Sequence, residues 1–354
     1  MLDWFTGIVG YDGSRLRVGR WVELSADGEI RREWERAVPV EGSYRSTLLV
    51  GRVGPTEDMR RAAPLLGLRC PPMSVWVSGN PTKWLQGHNV YGPSVTQLAP
   101  TIHDVIRSLP EPMRPGDADD PRGAAFHRAR VDVAVSIALG SDALVHEWLG
   151  AAEHGTRSRH GRAQRSGSTV YWGQHSRRWS MKAYCKFCEL KDHPPAESFD
   201  ELRLFAEGLL RLELTLRTPE LKPRGTLEDE IVFEYWEKVV IGVIDQEPRS
   251  MGERIASYDL PTGAKVTLDA WLHGSPQLRG SLPDRTWYHY RRLILEKVGV
   301  DISLAPAKET PSIKRAGFDV AFLRSRWVKE VPTHLQPTLF KPTRRQDRKY
   351  SARP

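Results

Sequence analysis

Three segments of this chain alternate apolar and polar side chains, and each holds a chemically useful residue in its polar row. Arg130–Leu139 sets Val131, Val133, Val135 and Ile137 in one row and Arg130, Asp132, Ala134 and Ser136 in the other. Leu209–Arg217 sets Leu210, Leu212, Leu214 and Leu216 against Arg211, Glu213, Thr215 and Arg217. Between them, Trp179, Met181, Ala183 and Cys185 alternate with Lys182, Tyr184 and Lys186. Successive side chains of a strand point to opposite faces, so each segment has one apolar and one polar face. Antiparallel sheets with one face on helices and the other in water produce this pattern. The expected fold is α+β: a twisted antiparallel sheet with helices on one face, followed by a mostly helical C-terminal region. If the three strands are neighbours, Asp132, Tyr184 and Glu213 converge on the open, wet face.

The rest of the chain fits around that sheet. Residues 1–80 are β-rich, with strands expected at Thr47–Val53 and Met73–Ser78, the latter stopped by Gly79-Asn80-Pro81. Ile102, Val105, Ile106 and Leu109 fall on one face of a short helix, and residues 110–124 form a Pro-rich loop. Ser141 is a natural N-cap for a helix with Leu144, Val145, Trp148 and Leu149 on its apolar face. Ser168–Glu189 reads as two strands joined by a short basic turn, the second carrying Lys182, Tyr184 and Lys186, and Phe199–Gly208 is helical. Glu228–Val243, Val266–Leu272 and Asp284–Val298 show helical spacing. The expected division is a domain over residues 1–225, a helical region over 226–340 and a basic tail over 341–354.

A formal charge of +8 and a pI near 9.4 point to an anionic partner, and nucleic acid suits them better than a small acidic substrate. No apolar run approaches the roughly 20 residues that span a bilayer, and no basic stretch followed by a long apolar block opens the chain. Three cysteines argue against a disulfide framework and for a reducing cytoplasm. Cys185 and Cys188 form one CxxC, but a strand would turn their sulfurs to opposite faces and no second such pair completes a zinc site, so the pair reads as structural.

Lys182 and Lys186 beside Tyr184 favour phenolate and hold charge where a phosphodiester must sit, which makes Tyr184 a plausible nucleophile. Asp132 and Glu213 are hard oxygen ligands of the kind Mg²⁺ or Mn²⁺ prefers. Lys182, Arg177, Arg178 and Arg211, with Arg157 and Arg159 in the basic stretch TRSRHGRAQRSGS, supply a positive field for DNA. The bland reading stands beside this one: Asp132 could pair only with Arg130, Glu213 only with Arg211, and the arginine stretch could be a solvated connection.

Four ordered blocks carry a resemblance to a known family. NPTKWLQGHNVYG at Asn80–Gly92 is similar to the pattern (S/N)PxKxLQGHNxFG of the filamentous-phage replication initiators, the gene II/X phage and plasmid replication proteins. RVDVAVS at Arg130–Ser136 resembles their R(I/V)D strand. STVYWGQHSRRWSMKAYCKFCEL resembles STVxWxxxSRxxxxxAYxKxxEL, and FAEGLLRLELTLRTPELK at Phe205–Lys222 resembles FAxGLxRxEx…LK. The likeness runs from about residue 76 to 222 and is loose outside it.

The resemblance implies a rolling-circle initiator endonuclease, a metal-dependent nickase and strand transferase in the cytoplasm of a bacterial host. Such a protein nicks one strand of the replicative form at the plus-strand origin and keeps the 5′ end on tyrosine. It leaves a 3′-hydroxyl for polymerase and later rejoins the displaced single strand, with host helicase as a further partner. By this likeness Tyr184 is the nucleophile, Lys186 stabilises the phenolate or the phosphorane, and Asp132 and Glu213 hold the metal. His88 of the QGHN block is a third ligand, a phosphate donor or part of a turn. Tyr171 is the alternative nucleophile. TWYHYRRLILEKVGVDI is either the second helix of a helix-turn-helix, with Tyr288, Arg291 and Arg292 near DNA, or a packing helix. Two rival functions remain open: a non-cleaving DNA-binding regulator, or a transposase or relaxase using the same tyrosine chemistry.

Overall fold

The computed structural model describes residues 1–65, 67, 69–107, 109, 127–159, 161–194, 199–241, 255, 258–275, 278–298, 300–303 and 315–335. The Pro-rich stretch 110–124 and the basic tail 341–354 lie outside them. Strands are β1 (Leu2–Asp12), β2 (Gly19–Leu24), β3 (Ile30–Arg36), β4 (Val38–Glu41), β5 (Thr47–Val53), β6 (Ser74–Gly79) and β7 (His127–Ala138). They continue with β8 (Thr156–Ser158), β9 (Gly161–Arg162), β10 (Gln164–Ser166), β11 (Thr169–Trp172), β12 (Trp179–Cys185), β13 (Leu209–Arg217) and β14 (Val239–Ile241). Helices are α1 (Glu57–Leu65), α2 (Pro81–Gln86), α3 (Leu98–Arg107), α4 (Asp142–Gly155), α5 (Lys186–Asp192) and α6 (Phe199–Ala206). After them come α7 (Thr218–Leu221), α8 (Ile231–Trp236), α9 (Thr262–Leu272), α10 (Asp284–Lys297) and α11 (Val320–Ser325).

Nine strands form one antiparallel sheet in the order β10-β11-β12-β13-β7-β1-β6-β5-β4. The three alternating segments are adjacent at its centre. Lys182 lies opposite Glu213 and Tyr184 opposite Arg211, while across the next ladder Glu213 faces Ala134 and Thr215 faces Asp132. Their apolar rows are buried in one core with Val145, Trp148 and Leu149 of α4 and with Ile231, Val232, Phe233 and Trp236 of α8. Ser141 caps α4, its hydroxyl accepting from Leu144 N at 3.3 Å. Leu144 itself points outward, 39% exposed, and is not part of the core expected for that helix.

Several expectations change. Residues 228–243 do not form one helix: α8 is short, and Val239–Ile241 pairs instead with Thr156–Ser158. The arginine stretch after α4 is not a bare loop but holds β8, β9 and β10. A break at residue 225 does not match the packing either, because Phe318 and Leu323 join the sheet's core along with α8. Trp148 Nε1 donates to Gly317 O at 2.9 Å and Trp236 Nε1 to Phe318 O at 2.7 Å, tying residues 315–325 to that core. A second cluster unites Leu260, Ala264, Leu268 and Trp271 with Trp287, Ile294, Val298 and Ile302. Helices α9 and α10 are joined by residues 273–283, too long a connection for a helix-turn-helix, whose turn is about three to four residues. Among the described residues no helix is long and apolar enough to cross a membrane.

Candidate active site

The polar rows of β7, β12 and β13 meet beneath residues 80–92, and the sequence of that block explains its shape. Asn80 caps α2, accepting from Lys83 N at 2.8 Å, and Pro81 occupies the first helical position, where no N–H is needed. Gly87 ends the helix at φ 81°, a left-handed conformation that favours glycine. The amides of Asn80 and Asn89 then both donate to Asp3 Oδ1, at 3.0 and 2.7 Å. Arg211 donates to the carbonyls of Asn89, at 2.8 Å, and Val90. Lys186 donates to Asn89 Oδ1 at 2.9 Å and to Glu189 at 2.6 Å.

The face expected to be open to water is therefore covered. Tyr184 is 8% exposed, Glu213 3%, and Asp132 and Arg211 1% each. Access remains along Lys182 and Arg130, whose side chains are 35% and 44% exposed. Tyr171 sits opposite Lys182 on β11, half-buried at this margin.

Tyr184 donates its hydroxyl to Glu213 Oε2 at 3.2 Å, and Lys182 Nζ lies 2.8 Å from Glu213 Oε1. The Lys182 ammonium also stands 5.3 Å from the centre of the Tyr184 ring. Burial, joined by the nearby charge of Asp3, pushes Glu213 up to about 7 against the pull of Lys182. Burial and the charge of Glu213 likewise raise the Tyr184 phenol well above its ordinary value. Flanking lysines thus do not leave a resting phenolate, contrary to expectation; the phenol is in contact with a carboxylate instead.

Lys186 is not the third member of a strand face. β12 ends at Cys185, and Lys186 opens α5 with no exposed surface. Burial, with the repulsion of Arg211, lowers it to about 8 although Glu189 opposes the shift. Asp132 is bound by Arg130, Nε to Oδ1 at 2.8 Å, and is raised by burial against that partner. His88 does not sit as a free ligand: its Nδ1 accepts from Val90 N at 3.4 Å and lies 3.2 Å from Gln86 Nε2. Nδ1 is thus engaged within the Asn80–Gly92 block. Burial and the charges of Lys186 and Arg211 push His88 down to about 4, keeping it neutral near pH 7.

Asp3 was missed in the sequence, although an acid inside the apolar strand LDWFTGIVGYD is the same signal that singles out Asp132. Burial works to raise it, but the charge of Arg211 and the amide of Asn89 hold it below the ordinary carboxylate range. Three acids whose charges act on one another are hard-oxygen donors of the right chemistry for a divalent ion. Their present partners, however, are Arg130, Lys182 and the two asparagines rather than one another.

A different group does converge. His146, Cys185 and Cys188 bring their ligand atoms within 4.8 Å of one another, a His/Cys cluster able to coordinate a divalent ion. The CxxC sulfurs do not diverge as expected, because Cys185 ends the strand and caps α5 while Cys188 lies in the helix's first turn.

Among the residues expected to touch DNA, Arg177 and Arg292 are exposed, as is Arg159. Arg157 is half-buried in β8. Arg178 is exposed but pairs with Glu220 at 2.6 Å. Arg211 is corrected from a DNA contact to an internal support, and Arg291 is engaged by Asp301 at 2.8 Å.

Residues 1–235 match the family described as the N-terminal region of the phage replication-associated protein, the gene II product. This chain belongs to the gene II/X family of phage replication initiators. The matched region holds every member of the Tyr184 cluster and ends inside α8. The replication-associated protein of the same family from Enterobacteria phage I2-2 is 29% identical over 320 residues, covering 86% of this chain and 88% of that protein. A rolling circle replication initiator protein from Geobacillus stearothermophilus overlaps 72% of this chain and 89% of its own at 11% identity and a TM-score of 0.31, too slight a likeness to bear on the site.

Proposed function

We propose that this protein is the origin nickase and strand transferase of rolling-circle replication, with Tyr184 as nucleophile and Glu213 as its base. The observation that carries this reading is the 3.2 Å hydrogen bond from the phenol to a carboxylate poised near neutrality. Tyr184 Oη attacks the scissile phosphorus while its proton passes to Glu213. The bond from phosphorus to the 3′-oxygen breaks, that oxygen leaves as a 3′-hydroxyl after taking a proton, and the 5′-phosphate stays on tyrosine. Attack by a 3′-hydroxyl on the tyrosyl ester runs the same steps backward and closes the displaced strand.

Lys182 and Arg130 line the approach and hold the non-bridging oxygens, the task for which exposed cations beside the nucleophile are suited. Asp132 and Asp3 are the residues that would hold Mg²⁺ or Mn²⁺, leaving Glu213 to Tyr184 and Lys182. Such an ion would neutralise charge developing on the phosphate. Lys186 and Arg211 act as positioning residues by fixing the Asn80–Gly92 block over the site. Arg177, Arg159 and Arg292 give the backbone contacts that set DNA affinity and its salt dependence.

The test is incubation of the full chain with a supercoiled plasmid bearing the phage plus-strand origin and Mg²⁺. Relaxation with a covalent 5′ adduct on the Tyr184 peptide supports the reading. Binding without an adduct supports the second reading, a non-cleaving origin-binding regulator, which the burial of Tyr184 favours.

A further inference from the structure

Beside the end of β12 lies a cluster whose chemistry is unlike that of the carboxylate site. We propose that His146, Cys185 and Cys188 form a zinc site that clamps helix α4 to the end of the strand carrying Tyr184. The donor set is two thiols and an imidazole, which suits zinc and not the hard ions expected at Asp132 and Glu213. Cys188 Sγ lies 3.3 Å from His146 Nε2. A tetrahedral ion with bonds of about 2.0–2.3 Å separates its ligand atoms by roughly 3.3–3.8 Å, a separation the His146–Cys188 pair already has, with Cys185 Sγ within 4.8 Å of both.

The local fold holds them there. Cys185 is the N-cap of α5, and its sulfur accepts from the backbone N–H of Cys188 at 3.3 Å. That hydrogen bond folds the CxxC so that both sulfurs face α4. Four residues before His146, on the same face of α4, Asp142 brings Oδ1 to 3.9 Å from Cys185 Sγ. The same oxygen accepts from Gly208 N at 2.8 Å, which holds the carboxylate beside Cys185 as an outer partner, and the fourth position of the ion falls to water. Binding releases the two thiol protons to solvent, with no change of oxidation state.

The consequence for position is direct, since Cys185 follows Tyr184 in the chain and precedes Lys186. An ion here fixes the point at which the backbone turns from strand into helix. The site itself does not rest on the nickase reading; only its effect on Tyr184 does.

The test uses the full chain purified in reducing buffer and passed over a desalting column with EDTA, then analysed for metal by mass spectrometry. The expected result is about one zinc ion per chain. Exchange with Co²⁺ should give the thiolate-to-cobalt charge-transfer absorption and visible bands of a tetrahedral ion. His146→Ala, at an exposed position, and Cys188→Ser should each weaken Zn²⁺ affinity by at least about tenfold while circular dichroism stays native. Metal-free protein that fails to bind added Zn²⁺ would overturn the proposal, as would a Cys185–Cys188 disulfide in the reduced preparation or undiminished zinc in both variants. An octahedral, oxygen-ligated cobalt spectrum would also overturn it, placing the ion at the carboxylates instead. Because metal content and spectrum are read without DNA, absence of nicking by the wild type leaves this result intact.

Discussion

Tyr184 and Glu213 are diagonal neighbours: each faces a cation across the β12–β13 ladder, Arg211 and Lys182 respectively, yet the phenol reaches the carboxylate at 3.2 Å. The diagonal matters because it gives Glu213 two partners at once, a proton donor on one oxygen and an ammonium on the other. Replacing the phenol removes the attacking atom without opening the fold. Tyr184→Phe is expected to reduce nicking by at least about a thousandfold and to abolish the covalent adduct. Origin binding should stay within a few fold, measured by filter binding. Loss of the donor to Glu213 Oε2 should cost about 1–3 kcal/mol of stability, read by urea unfolding. Full nicking in this variant would transfer the nucleophile's role, with Tyr171 next to be examined.

The pH dependence follows from two groups near neutrality. Glu213, raised to about 7 by burial and Asp3, must lose its proton to act as base. Lys186, lowered to about 8 by burial and Arg211, must keep its proton to hold Asn89 and Glu189. Nicking kcat/KM is therefore expected to rise with pH through about 7 and fall above about 8, a narrow bell that reports the free enzyme. Glu213→Gln should remove the rising limb along with most of the rate. A flat profile from pH 6 to 9 in a wild-type assay would exclude Glu213 as the base (both pH limits being about one unit beyond the two groups).

Alternation marked β7, β12 and β13 as half-buried strands, because a row of valines or leucines at spacing two has few homes other than a half-buried sheet; their adjacency is a property of the fold. Alternation also named Asp132, Tyr184 and Glu213. What alternation could not show was the cover. Nothing in the spacing of Arg211 says that its guanidinium will reach the carbonyls of Asn89 and Val90, more than a hundred positions earlier. A polar row meeting a polar loop reads the same as a polar row meeting water. The CxxC failed for a related reason: its geometry depends on the strand stopping at Cys185, and boundaries are set by tertiary packing more than by local pattern. The helix forecast for residues 228–243 gave way at Val239, whose β-branched neighbours pair with β8 once α8 has buried its aromatic face.

Gly87 is the point where the covering block turns. It closes α2 at φ 81°, and a Cβ there would run into the ring of Tyr44. Gly87→Ala is expected to cost about 1–3 kcal/mol, through left-handed strain together with displacement of that ring. Since the loop beyond it holds Asn89, nicking should drop more than overall stability suggests. Thermal unfolding beside single-turnover nicking separates the two effects; unaltered values of both would show that the turn is not constrained at this position.

Arg177 lies exposed in the turn between β11 and β12, at the same end of the hairpin as the Glu220-paired Arg178. A cation there can meet a phosphate without reading a base. Arg177→Ala is expected to weaken binding to origin and non-origin DNA alike and to reduce the salt slope of log K by about one. Loss of affinity for origin DNA alone would instead assign Arg177 to base readout.

Asp3 tests the electrostatics of the whole cluster. Its charge is one of the causes that raise Glu213, and it is the counter-charge for Arg211 and Lys186. Asp3→Asn should therefore let Glu213 ionise at lower pH, moving the acid limb of the nicking profile downward. The same change leaves two buried cations short of a partner, at a cost of about 3–5 kcal/mol. The sign with pH is fixed by the direction of the shift. Asp3 is held below its ordinary value, so its contribution to stability is complete above pH about 4 and disappears as pH falls through its lowered folded value. Wild type and Asp3→Asn should thus differ most in urea midpoint near neutrality and converge in strong acid. A constant difference across that range would mean that Asp3 stabilises the protein through its two asparagine hydrogen bonds and not through charge.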